Sequence, residues 1–203
     1  MQHESVTQRA ANAQESASPF AERPTQFDLM ASATVLSIAA TAWFLWGRAD
    51  GIATTPLLVG AALAVVMLVV AITRLRSAQG PSTMAVDAQA RRMYWIGTGG
   101  EIVAIPLAAI FLARAQLHEL IPAAVLAIVA LHFIPLAIAF RLFELWWVIG
   151  ACLVVCAAAV WMFAAGHDGA RALTGGLGGA VLLTAAAAFV LRANAKGRAK
   201  FTP

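Results

Sequence analysis

Residues 91–141 read RRMYWIGTGGEIVAIPLAAIFLARAQLHELIPAAVLAIVALHFIPLAIAFR, and this stretch decides the fold. Two apolar runs, Met93–Ala113 and Leu120–Phe140, are each close to the ~20 residues that cross a hydrocarbon layer of ~30 Å. The short polar segment Ala115–Glu119 separates them. Backbone groups in lipid must bond within their own segment, so the stretch predicts a helical hairpin. Folding it about Gln116–Leu117 sets Glu101 opposite His132 and Thr98 opposite Pro135. Glu101 lies about eight residues into its run, or ~12 Å at ~1.5 Å per residue. An ionisable side chain at that depth costs at least ~2.5 kcal/mol on insertion scales, and a partner offsets the cost.

The pattern repeats outward. Four further apolar runs, about Leu29–Gly47, Pro56–Thr73, Phe143–Ala165 and Ala172–Leu191, bring the total to six. The chain has 203 residues, 61% hydrophobic and 12% charged, where a soluble domain carries roughly 25% charged residues. The fold class is therefore all-α, a polytopic integral membrane protein. Residues 28–193 form the helical domain. Residues 1–27, rich in Gln, Ser and Ala, read as a disordered tail that buries too little apolar surface to fold alone. They lack the basic start and apolar core of a signal peptide. Residues 194–203 read as a basic tail.

Charge sets the orientation. Of the fourteen Lys and Arg residues, only Arg48, Arg114 and Arg171 fall at the loops of one side; the others fall at the opposite side. Excess Lys and Arg mark cytoplasmic loops, so both termini are expected in the cytoplasm. Trp43, Trp46 and Trp161 fall near the outer helix ends, and Trp95, Trp146 and Trp147 near the inner ends, as interfacial anchors do. The net charge of +4 is topogenic in this arrangement, and no nucleic-acid partner is expected. The expected partner is the lipid bilayer. The longest loop, 74–92, contains the helix-breaking Gly80-Pro81 pair; after it, Ser82 or Thr83 can cap a helix that runs as an amphipathic extension over Met84–Arg92 into the third span.

The candidate site is Glu101 with His132, a polar intramembrane pair. Gly97, Thr98 and Gly100 precede Glu101, Pro106 follows it, and Pro135 follows His132. Prolines each remove one intrahelical bond and kink a helix, so small residues opposite a kink make room for a cavity. The pair suits a proton relay or a small-solute site. It also suits a plain helix–helix contact, worth only ~0.6 kcal/mol in membranes. Gly175 and Gly179 offer a close-packing face to a neighbouring helix or to a second copy of the chain. Arg141 and Glu144 are spaced for an ion pair across a tight turn. Cys152 and Cys156 share a helix face, which suits a soft metal or small core hydrophobes. His118-Glu119 and His167-Asp168 could together make a carboxylate–imidazole metal site. No Gly-rich phosphate loop, nucleophile elbow, paired carboxylates or His-Glu-x-x-His occurs. Catalysis, a resident metal and a cofactor are accordingly not expected.

The run Pro122-Ala-Ala-Val-Leu-Ala-Ile-Val-Ala-Leu-His132-Phe-Ile-Pro135-Leu-Ala-Ile-Ala-Phe-Arg141 resembles an element of small uncharacterised six-helix bacterial inner-membrane proteins, in which His-Phe-aliphatic-Pro sits in a helix ending in Arg. The resemblance covers about a tenth of the chain. It implies a bacterial inner membrane and six spans, and makes His132 and Pro135 motif positions without assigning them a role. The leading functional expectation is a protein that moves or senses a proton or small solute. The alternative is a structural or interaction protein whose polar pair only fixes packing.

Overall fold

The structure is a computed structural model that describes residues 24–48, Gly51 and residues 53–199. Its helices are α1 (Gln26–Gly47), α2 (Thr54–Leu75), the single turn α3 (Thr83–Val86), α4 (Ala88–Arg114), α5 (Ile121–Phe140), α6 (Glu144–Ala164) and α7 (Ala170–Ala199), with a 3-10 turn at His118–Leu120. No strand occurs among the described residues. Six helices are long and apolar enough to cross a membrane: all but α3. Most of the expected tail, residues 1–23, lies outside the described residues, as do residues 200–203.

Helix ends depart from the apolar runs where polar groups can extend them. α1 begins before Leu29 because Thr25 and Asp28 form a capping box, each side chain bonding the other's backbone N–H. α7 runs on to Ala199, into the expected basic tail, because its polar end is tied down. Arg192 pairs with Glu144 of α6, Lys196 Nζ donates to the Pro24 carbonyl at 2.8 Å, and Gln26 Nε2 donates to the Ala193 carbonyl at 3.5 Å. Glu144 is thus taken by Arg192 and not by Arg141. Arg141 instead closes α5 in the left-handed conformation, φ 51°, and is exposed. The turn drives Leu142 into the core at 2% exposure.

The expected continuous helix over Met84–Arg92 is broken at Asp87, whose backbone is extended. Its carboxylate accepts from the N–H groups of Gln89 and Ala90 at 2.8 and 3.3 Å and starts α4 afresh. Ser82 holds the cap position of α3, but its side chain makes no cap bond.

α7 is the hub. It packs most extensively on α1 and also meets α2, α5 and α6. Gly175 permits the α1 crossing: a Cβ there would stand 2.4 Å from the Gly47 Cα. Phe44 of α1 is wedged between Gly60 of α2 and Gly179 of α7. Gly175 and Gly179 are therefore occupied inside the chain by α1. α4 lies at the edge. Its main packed neighbour is α5, and only Ala90 and Gly97 of its residues are buried.

Candidate functional site

The α4–α5 hairpin brings Glu101 and His132 together, with His132 Nδ1 2.8 Å from Glu101 Oε2. The approach is not along the ring N–H direction, since Nδ1 makes no aligned hydrogen bond, and Nε2 is buried without a partner as well. The contact is a close polar approach and not a directional staple. The His132 side chain is 13% exposed and that of Glu101 23%, so Glu101 is the more open member.

Gly97 sets the position of the imidazole. A Cβ on Gly97 would lie 2.8 Å from His132 Cδ2 and 3.1 Å from Pro135 Cγ. The hairpin register thus places Gly97, not Thr98, against Pro135. A straight fold-back in sequence ignores helix rotation, and one residue turns a helical position by roughly 100°. Gly100 departs from expectation too: it is exposed and a Cβ there would meet nothing within 4 Å. Pro106 is exposed within α4, and neither it nor Pro135 interrupts its helix.

Glu101, His132 and Thr98 line a cavity of about 370 Å³. α1 supplies one wall with Phe27, Asp28, Ala31, Ser32, Val35 and Leu36; Tyr94 of α4 and Phe133, Leu136 and Phe140 of α5 supply the other. Phe189 of the α7 hub, with Leu142 and Leu145 beside the α5–α6 turn, completes the floor, and Ser82 and Met84 close the loop end. α1 and α4 face each other across this space without a packed interface between them. Pro135, Gly97 and Gly100 do not line it, and neither does Pro106.

Polar side chains within the spans are mostly satisfied by their own helix. Ser37, Thr41 and Thr184 donate to carbonyls four residues back at 2.8, 2.9 and 2.8 Å. Thr98 Oγ1 differs: it is buried and unpartnered. Ser32 and Ser82 also line the cavity, and among the described residues no hydrogen bond joins either to His132 or Glu101.

Asp28 is the residue that sequence reading undervalued. It marks the start of the first apolar run, yet it is only 5% exposed. Its carboxylate accepts from Thr83 N at 3.0 Å, Thr83 Oγ1, Thr25 Oγ1 at 2.8 Å and Thr25 N at 3.2 Å. It therefore latches α3, and with it the loop after α2, over the end of the cavity. The cue in the sequence was Thr-x-x-Asp opening an apolar run, a capping pattern; that Thr83 would reach the same carboxylate was not visible locally.

The other candidates resolve into packing. Cys156 Sγ donates to the Ala123 carbonyl at 3.2 Å across α5 and α6, and both cysteines are buried and free. Glu119 pairs with Arg171 at 3.2 Å. Among the described residues, no group of three or more His, Cys, Asp or Glu side chains is placed to hold a metal ion.

No family model matches the chain, and no curated protein or solved structure matches it significantly. The resemblance of residues 122–141 to small bacterial membrane proteins rests on that run of sequence alone.

Proposed function

We propose that this is a multi-pass protein of a bacterial inner membrane, with both termini in the cytoplasm, that moves or senses a proton or small solute through the Glu101–His132 pair. Membrane embedding is supported by the faces left uncovered. Trp95, Ile102, Leu107 and Phe111 of α4 are each more than half exposed, and soluble monomers rarely present so continuous an apolar surface. The orientation is supported by the distribution of Lys and Arg. The observation that carries the functional reading is that the pair forms part of the wall of a cavity. A contact kept only for packing has no need of space beside it. It would also gain from an aligned hydrogen bond, yet the pair leaves His132 Nε2 and the neighbouring Thr98 Oγ1 buried without partners. Buried polar atoms in that condition cost ~1–3 kcal/mol each, so each calls for a partner that the helices themselves do not supply.

The rival reading, a contact that only fastens α4 to the bundle, draws on the position of the pair between α4 and α5, the main packed neighbour of α4. Two measurements on Glu101→Gln and His132→Ala separate the readings: thermal unfolding in detergent, and proton flux in proteoliposomes followed with an enclosed pH dye. On the functional reading both variants lose less than ~1 kcal/mol, a shift of no more than ~2–4 °C for a chain of this size, and both abolish a flux that the wild-type protein supports. Loss of stability in both variants, with wild-type liposomes no leakier than protein-free ones, would establish the packing role instead.

A further inference from the structure

We propose that the cavity beside Glu101 binds an organic monocation carrying apolar substituents. The inference rests on the reading of the Glu101–His132 pair as a ligand site and narrows it to a class of ligand by charge and by wall chemistry.

Charge comes first. The lining includes two carboxylates, Asp28 and Glu101, against one imidazole, His132, and none of the described Lys or Arg residues. Basic side chains are not scarce nearby: Arg192 and Lys196 sit at the same end of the bundle, but they are turned to Glu144 and to the Pro24 carbonyl. A cavity with this lining repels anions, whose burial without a counter-charge is prohibitive. The two carboxylates differ in availability. Asp28 is saturated by donors from Thr25 and Thr83, whereas Glu101 is approached by the His132 imidazole alone and keeps 23% of its side chain open. Glu101 is the counter-charge a cation would meet.

Wall chemistry then separates organic from inorganic cations. Calcium and magnesium ions take six or more oxygen ligands, several of them water, and the free oxygens here are limited to Glu101 and a few hydroxyls. The remaining lining is apolar, with the rings of Phe27, Tyr94, Phe133, Phe140 and Phe189 among it. Aromatic faces attract cations, most strongly when desolvated, and apolar walls reward apolar substituents. A volume of about 370 Å³ accommodates a one-ring compound. Access fits as well: the gap between α1 and α4, which share no packed interface, admits an amphiphilic molecule from the side.

The test is equilibrium binding by calorimetry to the full chain in a non-ionic detergent, using benzyltrimethylammonium and the anion of matching size, phenylmethanesulfonate. The variants are Glu101→Gln, which removes the counter-charge, and Ala31→Phe, which fills the cavity from α1 without touching the pair. The expected result is saturable binding of the cation, no binding of the sulfonate, and at least a tenfold loss of cation affinity in each variant, the size of one desolvated charge contact. Should Glu101→Gln fail to fold, Ala31→Phe decides alone. Sulfonate binding abolished by Ala31→Phe overturns the cation assignment and leaves the site reading intact. Cation binding unchanged in both variants overturns it too. If neither compound binds and wild-type proteoliposomes still conduct protons, the ligand class falls while the site reading stands; if flux is absent as well, both fall.

Discussion

Gly97 and Gly100 lie one helical turn apart on α4 and stand in opposite surroundings, so they make a paired experiment. At Gly97 an added methyl collides with the His132 ring at 2.8 Å; Gly97→Ala is expected to cost ~1–3 kcal/mol by overpacking and to displace the imidazole from Glu101. At Gly100 nothing stands within 4 Å, and Gly100→Ala is expected to be neutral or to gain up to ~1 kcal/mol of helix propensity. Thermal unfolding of the two variants side by side checks this; equal effects would show that the α4–α5 register is not as described. Glu101 and His132 were legible as a pair because few other ionisable residues are so deep in an apolar run and both lie at matching depth. Which small residue faces them was not legible, because depth along a helix follows from residue count while direction around it depends on how the helices rotate against each other.

At the scale of elements, two devices hold the bundle and each predicts a distinct defect. The α1–α7 crossing depends on Gly175, where a Cβ would press on the Gly47 Cα at 2.4 Å; at Gly176 the nearest obstacle is the tip of Leu57 at 3.3 Å. Gly175→Ala is therefore expected to destabilise by ~1–3 kcal/mol, well beyond Gly176→Ala, since backbone cannot move aside as a leucine tip can. The second device is the Asp28 latch. Asp28→Ala removes the acceptor for Thr83 and for the Thr25 cap and is expected to cost ~2 kcal/mol or more. The defect should be local: hydrogen exchange accelerates over residues 76–86 and at the start of α1, while α5 and α6 are unchanged. Uniform acceleration would mean that the latch holds the whole bundle and not the loop. The six apolar elements themselves were readable, and their ends moved only where a cap or a polar anchor added turns, as Thr25, Asp87 and Arg192 do.

For the whole molecule the prediction concerns sidedness. If both termini are cytoplasmic, as proposed, a cysteine at Gly166 is expected to react with a membrane-impermeant maleimide in intact cells, and one at Gln79 only after lysis. The native thiols of Cys152 and Cys156 are buried and leave a low background. The reverse pattern would invert the topology and contradict the distribution of Lys and Arg. The peripheral place of α4 has a consequence at this scale. One side of the cavity is a helix held mainly by α5, so the gap between α1 and α4 is where the molecule has least packing to lose on opening.

What the sequence determined by itself was the class and its punctuation: helices because apolar runs of that length leave backbone groups no other partners, six of them because polar segments interrupt the runs, and a carboxylate and an imidazole at one depth of those runs. Those follow from local composition and spacing. The tertiary structure alone decided that α7 is the hub and α4 the edge, that Glu144 pairs with Arg192 and not with Arg141, that Gly175 serves α1, and that Asp28 reaches across to Thr83. It also decided that space lies beside Glu101. Each of these is a contact between residues distant in the chain, or the absence of one, set by which face of one helix meets which face of another. In a chain so evenly apolar the faces are nearly indistinguishable by hydrophobicity, so the arrangement is settled by small residues and a few polar anchors that take on their roles only when the partner helix is in place.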